Sequence, residues 1–272
     1  MTKKFVHLHV HTEYSLLDGL SKIESLLIHV KENGMDTVAI TDHGVMYGVI
    51  EFYKKALKEG VKPIIGMEGY VTNVNHKERP ERGKFQNYHL LLLAKNNEGY
   101  QNLMKLTSIA HLEGYYYRPR VDKETLAKYS KGLICTSACQ NGEIAQELIN
   151  GSYEAAKKAA DWFLSVFGKD YYLELQRHQY DKFIKEASNA EIKASLLAVS
   201  ENEKIINEGK IKLSRELGIP IIATNDAHYV RQEDAEAQDA LVCVATGKNV
   251  SDTNRIRFID AKTFYVRSPE EM

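Results

Sequence analysis

The opening of the chain alternates histidine with apolar residues, in the order Phe5-Val6-His7-Leu8-His9-Val10-His11. Successive side chains of a β-strand point to opposite faces, so His9 and His11 would share one face while Leu8 and Val10 share the other. Two imidazoles side by side supply half of a metal site. The alternative is a histidine-rich strand edge without a ligand, because histidine is often satisfied by ordinary hydrogen bonds. The alternation alone therefore predicts a strand and only modestly favours a metal.

Histidine and aspartate recur after two later strand-like runs. The apolar run at 37–40 leads into Thr41-Asp42-His43-Gly44, and the run at 219–223 leads into Asn225-Asp226-Ala227-His228. In parallel α/β architectures, sites are built at the carboxyl ends of the strands. The three stretches together predict one multi-metal site at that edge.

Length and composition fit one barrel-sized α/β domain, because 272 residues suffice for it and no Gly/Ser-rich or Pro-rich linker interrupts them. The net charge of -1 argues against a strongly basic nucleic-acid binder, but not against a local groove in which metal supplies the positive charge. Cys135, Cys139 and Cys243 are too few and too irregularly spaced for a disulfide framework. There is neither a membrane-length apolar run nor a signal-peptide core, so we expect a soluble, cytoplasmic protein.

Strand-like and helical runs alternate along the chain. The strand-like runs are 5–11, 37–40, 61–71, 89–94, 132–136, 171–175 and 219–223, and the helical runs are 20–33, 45–58, 97–111, 153–167, 189–217 (one or two helices) and 232–246. This order predicts parallel strands joined by helical crossovers. We therefore expect an α/β fold, a distorted seven-stranded (βα)7 TIM-like barrel. Residues from about 230 to 272 would form a C-terminal extension that ends with a strand-like run at 263–266.

One aromatic segment breaks this alternation. It contains Tyr115, Tyr116, Tyr117, Arg118 and Arg120, after a polar loop at 73–87. Tyrosine can stack on bases and arginine can bind phosphate. A tyrosine cluster that merely covers the rim of the barrel is an equally open alternative.

Four motifs resemble those of the polymerase and histidinol phosphatase (PHP) domain family: His9-Val10-His11-Thr12, Thr41-Asp42-His43-Gly44, Gly66-Met67-Glu68 and Asn225-Asp226-Ala227-His228. Within that family the chain is most similar to the PHP domains of bacterial DNA polymerase III alpha subunits. That likeness runs the full length, through the segments 14–19, 62–66, 96–103 and 267–272.

The resemblance implies a PHP barrel that holds two to three divalent transition metals, Zn, Mn or Fe. Carried over by position, the nine ligands would be His9, His11, Asp18, His43, Glu68, His89, Cys139, Asp226 and His228. His9, His11, His43, Asp226 and His228 would be catalytic, and Arg118, Arg120 and Tyr116 would contact substrate. Asp42, which matches no ligand position, would orient His43 without itself contacting a metal.

The implied reaction is phosphoester hydrolysis at a DNA 3′ end, as in a proofreading 3′–5′ exonuclease. Residues 1–272 would form a single PHP domain at the N-terminus of a longer replicative polymerase, whose nucleotidyltransferase site lies elsewhere. The expected partners are the DNA 3′ end, the remainder of the alpha subunit and other replisome subunits, with no membrane. Two alternatives stay open: a small-molecule phosphatase such as histidinol phosphatase, and a metal-stabilised module without activity that binds the polymerase.

Overall fold

Seven strands form one mixed sheet in the computed structural model, which describes residues 4–16 and 18–272. Residues 1–3 and Leu17, which falls within the opening motif, lie outside the described residues. The strands are β1 (Thr37–Ile40), β2 (Lys62–Thr72), β3 (Asn87–Ala94), β4 (Arg120–Asp122), β5 (Leu133–Thr136), β6 (Tyr171–Gln176) and β7 (Ile221–Thr224). Their order in the sheet is β1-β2-β3-β5-β6-β7, and β4 pairs with β2.

The N-terminal segment closes this curled sheet. His7 forms a parallel bridge with Val38 of β1, and Val10 forms one with Ala227, just after β7. Thr41 adds a side-chain bond, since its Oγ1 accepts from the Val10 N–H at 2.9 Å. The strand predicted at 5–11 is thus reduced to two isolated bridges, through which the opening segment joins the first and last strands of the sheet. The predicted distorted (βα)7 barrel is confirmed.

Strand β3 runs against its neighbours, and here the prediction of parallel strands was wrong. It pairs antiparallel with β2, where Tyr70 faces His89, and antiparallel with β5, where Leu91 faces Thr136. The loop between β2 and β3 contains no helix, so the chain turns back directly instead of crossing over. The beginning of β3 therefore lies at the same edge as the end of β2.

The helices surround the sheet. They are α1 (Ile23–Glu32), α2 (Val49–Lys58), α3 (Asn97–Leu112), α4 (Lys123–Lys128), α5 (Glu143–Ile149), α6 (Tyr153–Phe167), α7 (Asp181–Glu186), α8 (Ala190–Leu217) and α9 (Ala235–Thr246). The run at 189–217 proves to be one helix, α8, capped by Asn189. Strand β4 and helices α4, α5 and α7 were not predicted, because elements this short show too little periodicity. The expected terminal strand is reduced to a single bridge between Tyr229 and Tyr265.

The two faces of the sheet differ in character. On β2, Met67 and Val71 join a large apolar cluster with Leu103 of α3 and Phe163 of α6. Alternate residues point the other way, so Glu68 faces the interior of the barrel. Apolar packing against the helices therefore supports the outside of the sheet, while its interior is free to carry polar side chains. Among the described residues, none of the helices combines the length and apolar composition that a membrane crossing requires.

A buried ion pair holds the C-terminal extension against α9. Arg255 Nη1 and Nη2 lie 2.6 and 2.7 Å from the two carboxylate oxygens of Asp239, and these side chains are only 1% and 4% exposed. Arg255 also donates to the backbone carbonyls of Val250 and Ile256. One side chain thus fixes several turns of the segment that follows α9.

We expect Arg255→Met to loosen this extension while leaving the barrel folded. Removing one partner of a buried pair leaves an uncompensated charge and costs about 3–5 kcal/mol. Arg231→Met is the matched control, because the Arg231–Glu32 pair is 38% and 55% exposed and should contribute less than about 1 kcal/mol. Amide hydrogen exchange over 249–262 is the measurement. Equal protection in the two variants would contradict the role given to Arg255.

Candidate metal centre

The N-terminal segment directs His9 and His11 into the barrel. The His11 N–H donates to the Ala227 carbonyl at 2.8 Å, and the Ala227 N–H donates to the His9 carbonyl at 3.1 Å. These bonds fix the backbone on either side of Val10, which packs outward in an apolar cluster. His9 and His11 consequently point inward, and both are fully buried.

The structure brings all nine predicted ligands into one cluster. Side-chain atoms approach one another in these pairs: His9 Nε2–Asp226 Oδ1 at 3.1 Å, His11 Nε2–Asp226 Oδ1 at 3.1 Å, His43 Nε2–Asp18 Oδ2 at 3.2 Å, His43 Nδ1–Glu68 Oε2 at 2.8 Å, His89 Nδ1–Glu68 Oε1 at 3.0 Å, Cys139 Sγ–Glu68 Oε1 at 3.6 Å and His228 Nδ1–Asp226 Oδ1 at 3.7 Å. Within residues 4–16 and 18–272, three groups have the spacing to hold a metal ion: His11-His43-His228, His9-His11-Glu68 and His43-Glu68-His89. Which residues would bind a metal stays a prediction.

The cluster contains imidazole nitrogens and carboxylate oxygens that could donate a lone pair to a metal and that the protein itself leaves without a hydrogen bond. Six buried atoms of these residues have no hydrogen-bond partner in the part of the chain that the structure describes: Nε2 of His9, Nε2 of His11, Nδ1 of His43, Oδ1 of Asp18, Oε2 of Glu68 and Oδ1 of Asp226. Several lie close together but are not aligned as hydrogen bonds. Each unpaired buried polar atom costs on the order of 1–3 kcal/mol. A cation that accepts lone pairs from all of them would remove this cost, so the residues fit a metal centre.

The histidines of the cluster differ in how readily they are protonated. Burial disfavours protonation of His9, but the carboxylates of Asp226, Glu174 and Glu68 together raise its pKa well above the usual value. Burial also opposes protonation of His43, yet the neighbouring carboxylates of Asp18 and Glu68 raise that pKa too. His11 behaves oppositely, since burial and neighbouring imidazoles lower its pKa to about 3.

His89 and Cys139 reach the centre by routes that the sequence concealed. His89 stands near the start of β3, and the antiparallel direction of that strand brings it to the edge where the other strands end. Cys139 follows Ala138, whose φ of 53° is left-handed and turns the chain back toward Glu68. Burial first, and the Glu68 carboxylate second, raise the pKa of the Cys139 thiol. A thiolate ligand would draw this part of the centre toward zinc.

Asp42 acts on a different residue from the one expected. Its carboxylate accepts from the Thr12 N–H at 2.7 Å and from the Ser15 hydroxyl at 2.7 Å. Ser15 Oγ in turn lies 3.0 Å from His11 Nδ1 and accepts from the His43 N–H at 3.2 Å. Asp42 therefore supports the His11 ring through Ser15, and it reaches His43 only through the backbone.

Sequence reasoning missed Glu174 on β6. This carboxylate is fully buried, and its Oε1 lies 2.7 Å from His9 Nδ1. The signal was available, because Tyr171, Leu173 and Leu175 alternate with Tyr172 and Glu174 along the strand. A carboxylate on the inward-facing side of a barrel strand is by its position a candidate member of the site.

The tyrosine and arginine segment divides into a buried and an exposed part. Arg120 is fully buried, donates to the carbonyls of Gly114 and Glu78, and lies beside the rings of Phe85 and Tyr116. This placement removes Arg120 from any surface that a substrate could touch. Tyr116 is half-buried, and its hydroxyl donates to the Pro80 carbonyl at 3.0 Å. Burial therefore contradicts the substrate contact predicted for Arg120, whereas the one predicted for Tyr116 stays a prediction.

Arg118 has the opposite environment. It is exposed, and its guanidinium lies 5.6 Å from the centre of the Tyr70 ring. That ring is 5.1 Å from the His89 ring and 6.3 Å from the His43 ring. Arg118 thus occupies the rim beside the cluster, and Tyr115 and Tyr117 are exposed next to it.

Comparison with known proteins agrees with the motifs. A family model described as the PHP domain matches residues 7–178. DNA polymerase III subunit alpha of Borreliella burgdorferi is 49% identical over 271 residues, which cover 99% of this chain and 22% of the relative. The corresponding subunit of Helicobacter pylori is 45% identical over 280 residues, with 99% and 21% coverage. The chain thus spans about a fifth of the length of these curated relatives.

A solved structure with a similar chain course is an amidohydrolase from Chromobacterium violaceum. It has a TM-score of 0.49 and 12% sequence identity, and the match covers 82% of this chain and 87% of that one.

We expect metal binding to release protons near neutral pH. Because the pKa values of His9 and His43 are raised, both rings stay protonated above pH 6.5 in the metal-free protein, and a ligand ring must be neutral. The apparent affinity for Zn²⁺ or Mn²⁺ should therefore rise with pH through this range. Calorimetric titration in two buffers of different ionisation enthalpy measures the protons, and His9→Asn should release fewer. Binding heats that do not depend on the buffer would contradict this account.

Proposed function

This chain belongs to the PHP domain family, and from its site we propose that it is a metal-dependent phosphoesterase domain that removes nucleotides from DNA 3′ ends. The observation that carries the proposal is the convergence of six unsatisfied buried donor atoms from side chains that are far apart in the sequence. Buried polar atoms are almost always paired in folded proteins, so their concentration at one place needs a partner. A cluster of divalent cations supplies it.

The proposed ligands are His9, His11, Asp18, His43, Glu68, His89, Cys139, Asp226 and His228, which would hold two to three ions of zinc, manganese or iron. When bound, such metals activate water and neutralise the charge of the phosphoryl oxygens. His9, His11, His43, Asp226 and His228 are the residues that we expect hydrolysis to require. Their donor set, which mixes imidazoles with carboxylates and one thiol, suits transition metals better than magnesium or calcium.

Exposure of the ligands gives the centre a closed and an open side. The side chains of His9, His11 and Glu68 are at most 1% exposed, whereas those of His43 and Asp18 are 16% and 34% exposed. A phosphoryl group would therefore approach from the side of His43 and Asp18. The buried side chains exclude bulk water from the opposite side and hold their donor atoms in fixed positions.

The rim beside that open side supports a nucleic-acid substrate. Arg118 has no ion-pair partner among the described residues, and Arg82 lies 5.9 Å from the ring of the exposed Tyr117. Guanidinium groups with exposed aromatic rings are suited to flanking phosphates and to an unpaired base. This rim would recognise the end of a strand, which a small phosphate ester lacks.

We also propose a larger context for this activity. In this proposal, residues 1–272 form one PHP domain, and residues from about 230 onward form its extension. The domain is part of a cytoplasmic replicative polymerase, a DNA polymerase III alpha subunit like the relatives. The remainder of the alpha subunit and other replisome subunits are then the proposed partners, together with the DNA 3′ end.

We expect the chain to bind more than one transition metal ion and to lose thermal stability on chelation, because the ions bind only the folded cluster. Elemental analysis of the purified chain and a thermal scan with and without chelator make the measurement. His29→Asn serves as the control, since His29 lies on α1 and contacts the Val266 carbonyl. Less than one ion per chain under metal-replete conditions would exclude the proposed centre.

We expect Mn²⁺- or Zn²⁺-dependent shortening of a single-stranded or mismatched oligonucleotide from its 3′ end, which His9→Asn and Asp226→Asn abolish without changing the far-UV spectrum. Strands labelled at the 5′ or the 3′ end give the direction. Arg118→Ala should slow this reaction, lower its salt slope by about 1, and leave turnover of histidinol phosphate unchanged.

Each alternative function has its own result in that experiment. Turnover of histidinol phosphate with intact oligonucleotides would favour a small-molecule phosphatase. Metal binding without any His9-dependent hydrolysis would favour a structural module that binds the polymerase.

A further inference from the structure

Glu174 is a buried carboxylate that the proposed ligand set does not include. It lies on the inner side of β6, next to His9. Its Oε1 also accepts from the Thr224 hydroxyl and from Gln176 Nε2, and its Oε2 accepts from the Thr136 hydroxyl. Both carboxylate oxygens are therefore engaged by protein donors.

This saturation distinguishes Glu174 from Glu68. Glu68 Oε2 has no hydrogen-bond partner and lies 2.8 Å from His43 Nδ1. Glu174 Oε1 contacts His9 only on the Nδ1 side, whereas Asp226 and Glu68 approach the same ring at Nε2, at 3.1 and 3.2 Å. The imidazole of His9 thus separates Glu174 from the cluster.

The chemistry of the two side chains fixes the position of a proton. An ionised carboxylate can only accept hydrogen bonds, so His9 must carry its hydrogen on Nδ1 to bond Glu174. In a neutral imidazole, the lone pair then resides on Nε2. Nε2 is the atom that faces Asp226 and Glu68, and it has no hydrogen-bond partner among the described residues.

A carboxylate is a costly choice for this buried position. Burying a charge without a partner costs several kcal/mol in effective terms. The fully buried amine of Lys210 is close by, but it donates to the backbone carbonyls of Glu174 and Ala138 at 2.9 and 3.1 Å. Of the described side chains, only His9 forms an ion pair with Glu174.

We propose that Glu174 is a positioning residue of the metal centre, which holds His9 with its proton on Nδ1 and its Nε2 lone pair directed at the metal. This inference rests on the proposed function, since it requires that His9 bind a metal. Thr136 and Thr224 fix the carboxylate in place, and Lys210 fixes the backbone beneath it. The same lysine also holds the carbonyl of Ala138, directly before Cys139.

The experiment compares Zn²⁺ affinity of the full chain and its variants by chelator competition. Glu174→Ala should weaken binding at one zinc site by about 10- to 100-fold, the usual effect of losing such a partner. The zinc affinity of Glu174→Gln should lie between those of the wild-type chain and Glu174→Ala, because its amide oxygen still accepts a hydrogen bond from His9 Nδ1 but carries no charge. Glu203→Gln is the matched control, since Glu203 is a half-buried carboxylate on α8 whose one hydrogen bond among the described residues is from the backbone N–H of His178.

A second measurement reports the proton itself. Long-range ¹⁵N–¹H spectra of the zinc-loaded chain should include an imidazole with its proton on Nδ1 whose signals vanish in His9→Asn and shift in Glu174→Gln. A purely structural role for Glu174 would lower the thermal midpoint of the metal-free chain but would leave zinc affinity and the His9 tautomer unchanged. Should Glu174→Ala fail to fold, Glu174→Gln and Thr224→Val still test the idea.

The outcomes separate this inference from the proposed function. Wild-type zinc affinity in both Glu174 variants, or a His9 ring that carries its proton on Nε2, would overturn the role of Glu174 alone. A wild-type chain that binds no zinc would overturn the metal centre, and the role of Glu174 with it.

Discussion

The structure depends on the burial of many imidazoles and carboxylates at one place inside a barrel. Each of these groups loses its hydration on folding, and the loss is recovered only where a partner of opposite character is near. Asp226, for instance, is approached by both His9 and His11 at 3.1 Å, and these contacts hold its pKa below the usual value even though burial opposes this. Apolar packing between the sheet and the helices provides the free energy that keeps such a cluster together.

Closure of the barrel is what turns separate motifs into one centre. The N-terminal segment lies between β1 and the end of β7, so His9 and His11 are brought beside Asp226 and His228. The side chain of Asp42 binds both Thr12 and Ser15 and thereby holds the loop that follows this segment. Backbone register, side-chain alternation and a single buried carboxylate thus act on the same few residues.

Much of this arrangement was predictable from the sequence, and the exceptions have physical causes. Periodicity located the main strands and the long helices, and the ends of β1 and β7 pointed to His43 and Asp226. The polar loop at 73–87 was the one sequence signal for the antiparallel β3, because it contains no helix that could cross over to a parallel strand. The rule of parallel strands did not take this loop into account, and it therefore placed His89 at the wrong edge of the sheet. Arg120 was misassigned for a related reason, because the carbonyls that bury its guanidinium come from Gly114 and Glu78.

Glu174 illustrates a limit of reading by motif. A ligand motif lists residues that meet a metal, and a carboxylate whose partner is another side chain leaves no trace in such a list. The alternation of side chains along β6 reveals Glu174, because it places the carboxylate on the interior face of the barrel, where a charge requires a partner.

The centre and its rim differ in how firmly their side chains are held. The base, with His9, Glu68 and Glu174, is fully buried and has fixed hydrogen bonds, which suits a geometry that must not vary between substrates. At the rim, Tyr115, Tyr117 and Arg118 are exposed side chains, so their positions can adapt to what binds. A phosphoryl group is the same in a nucleic acid and in a small ester, and the base has nothing with which to tell them apart. Under the proposed function, selection between them would come from the exposed rim, where the Tyr70 ring lies between Arg118 and the rings of His43 and His89.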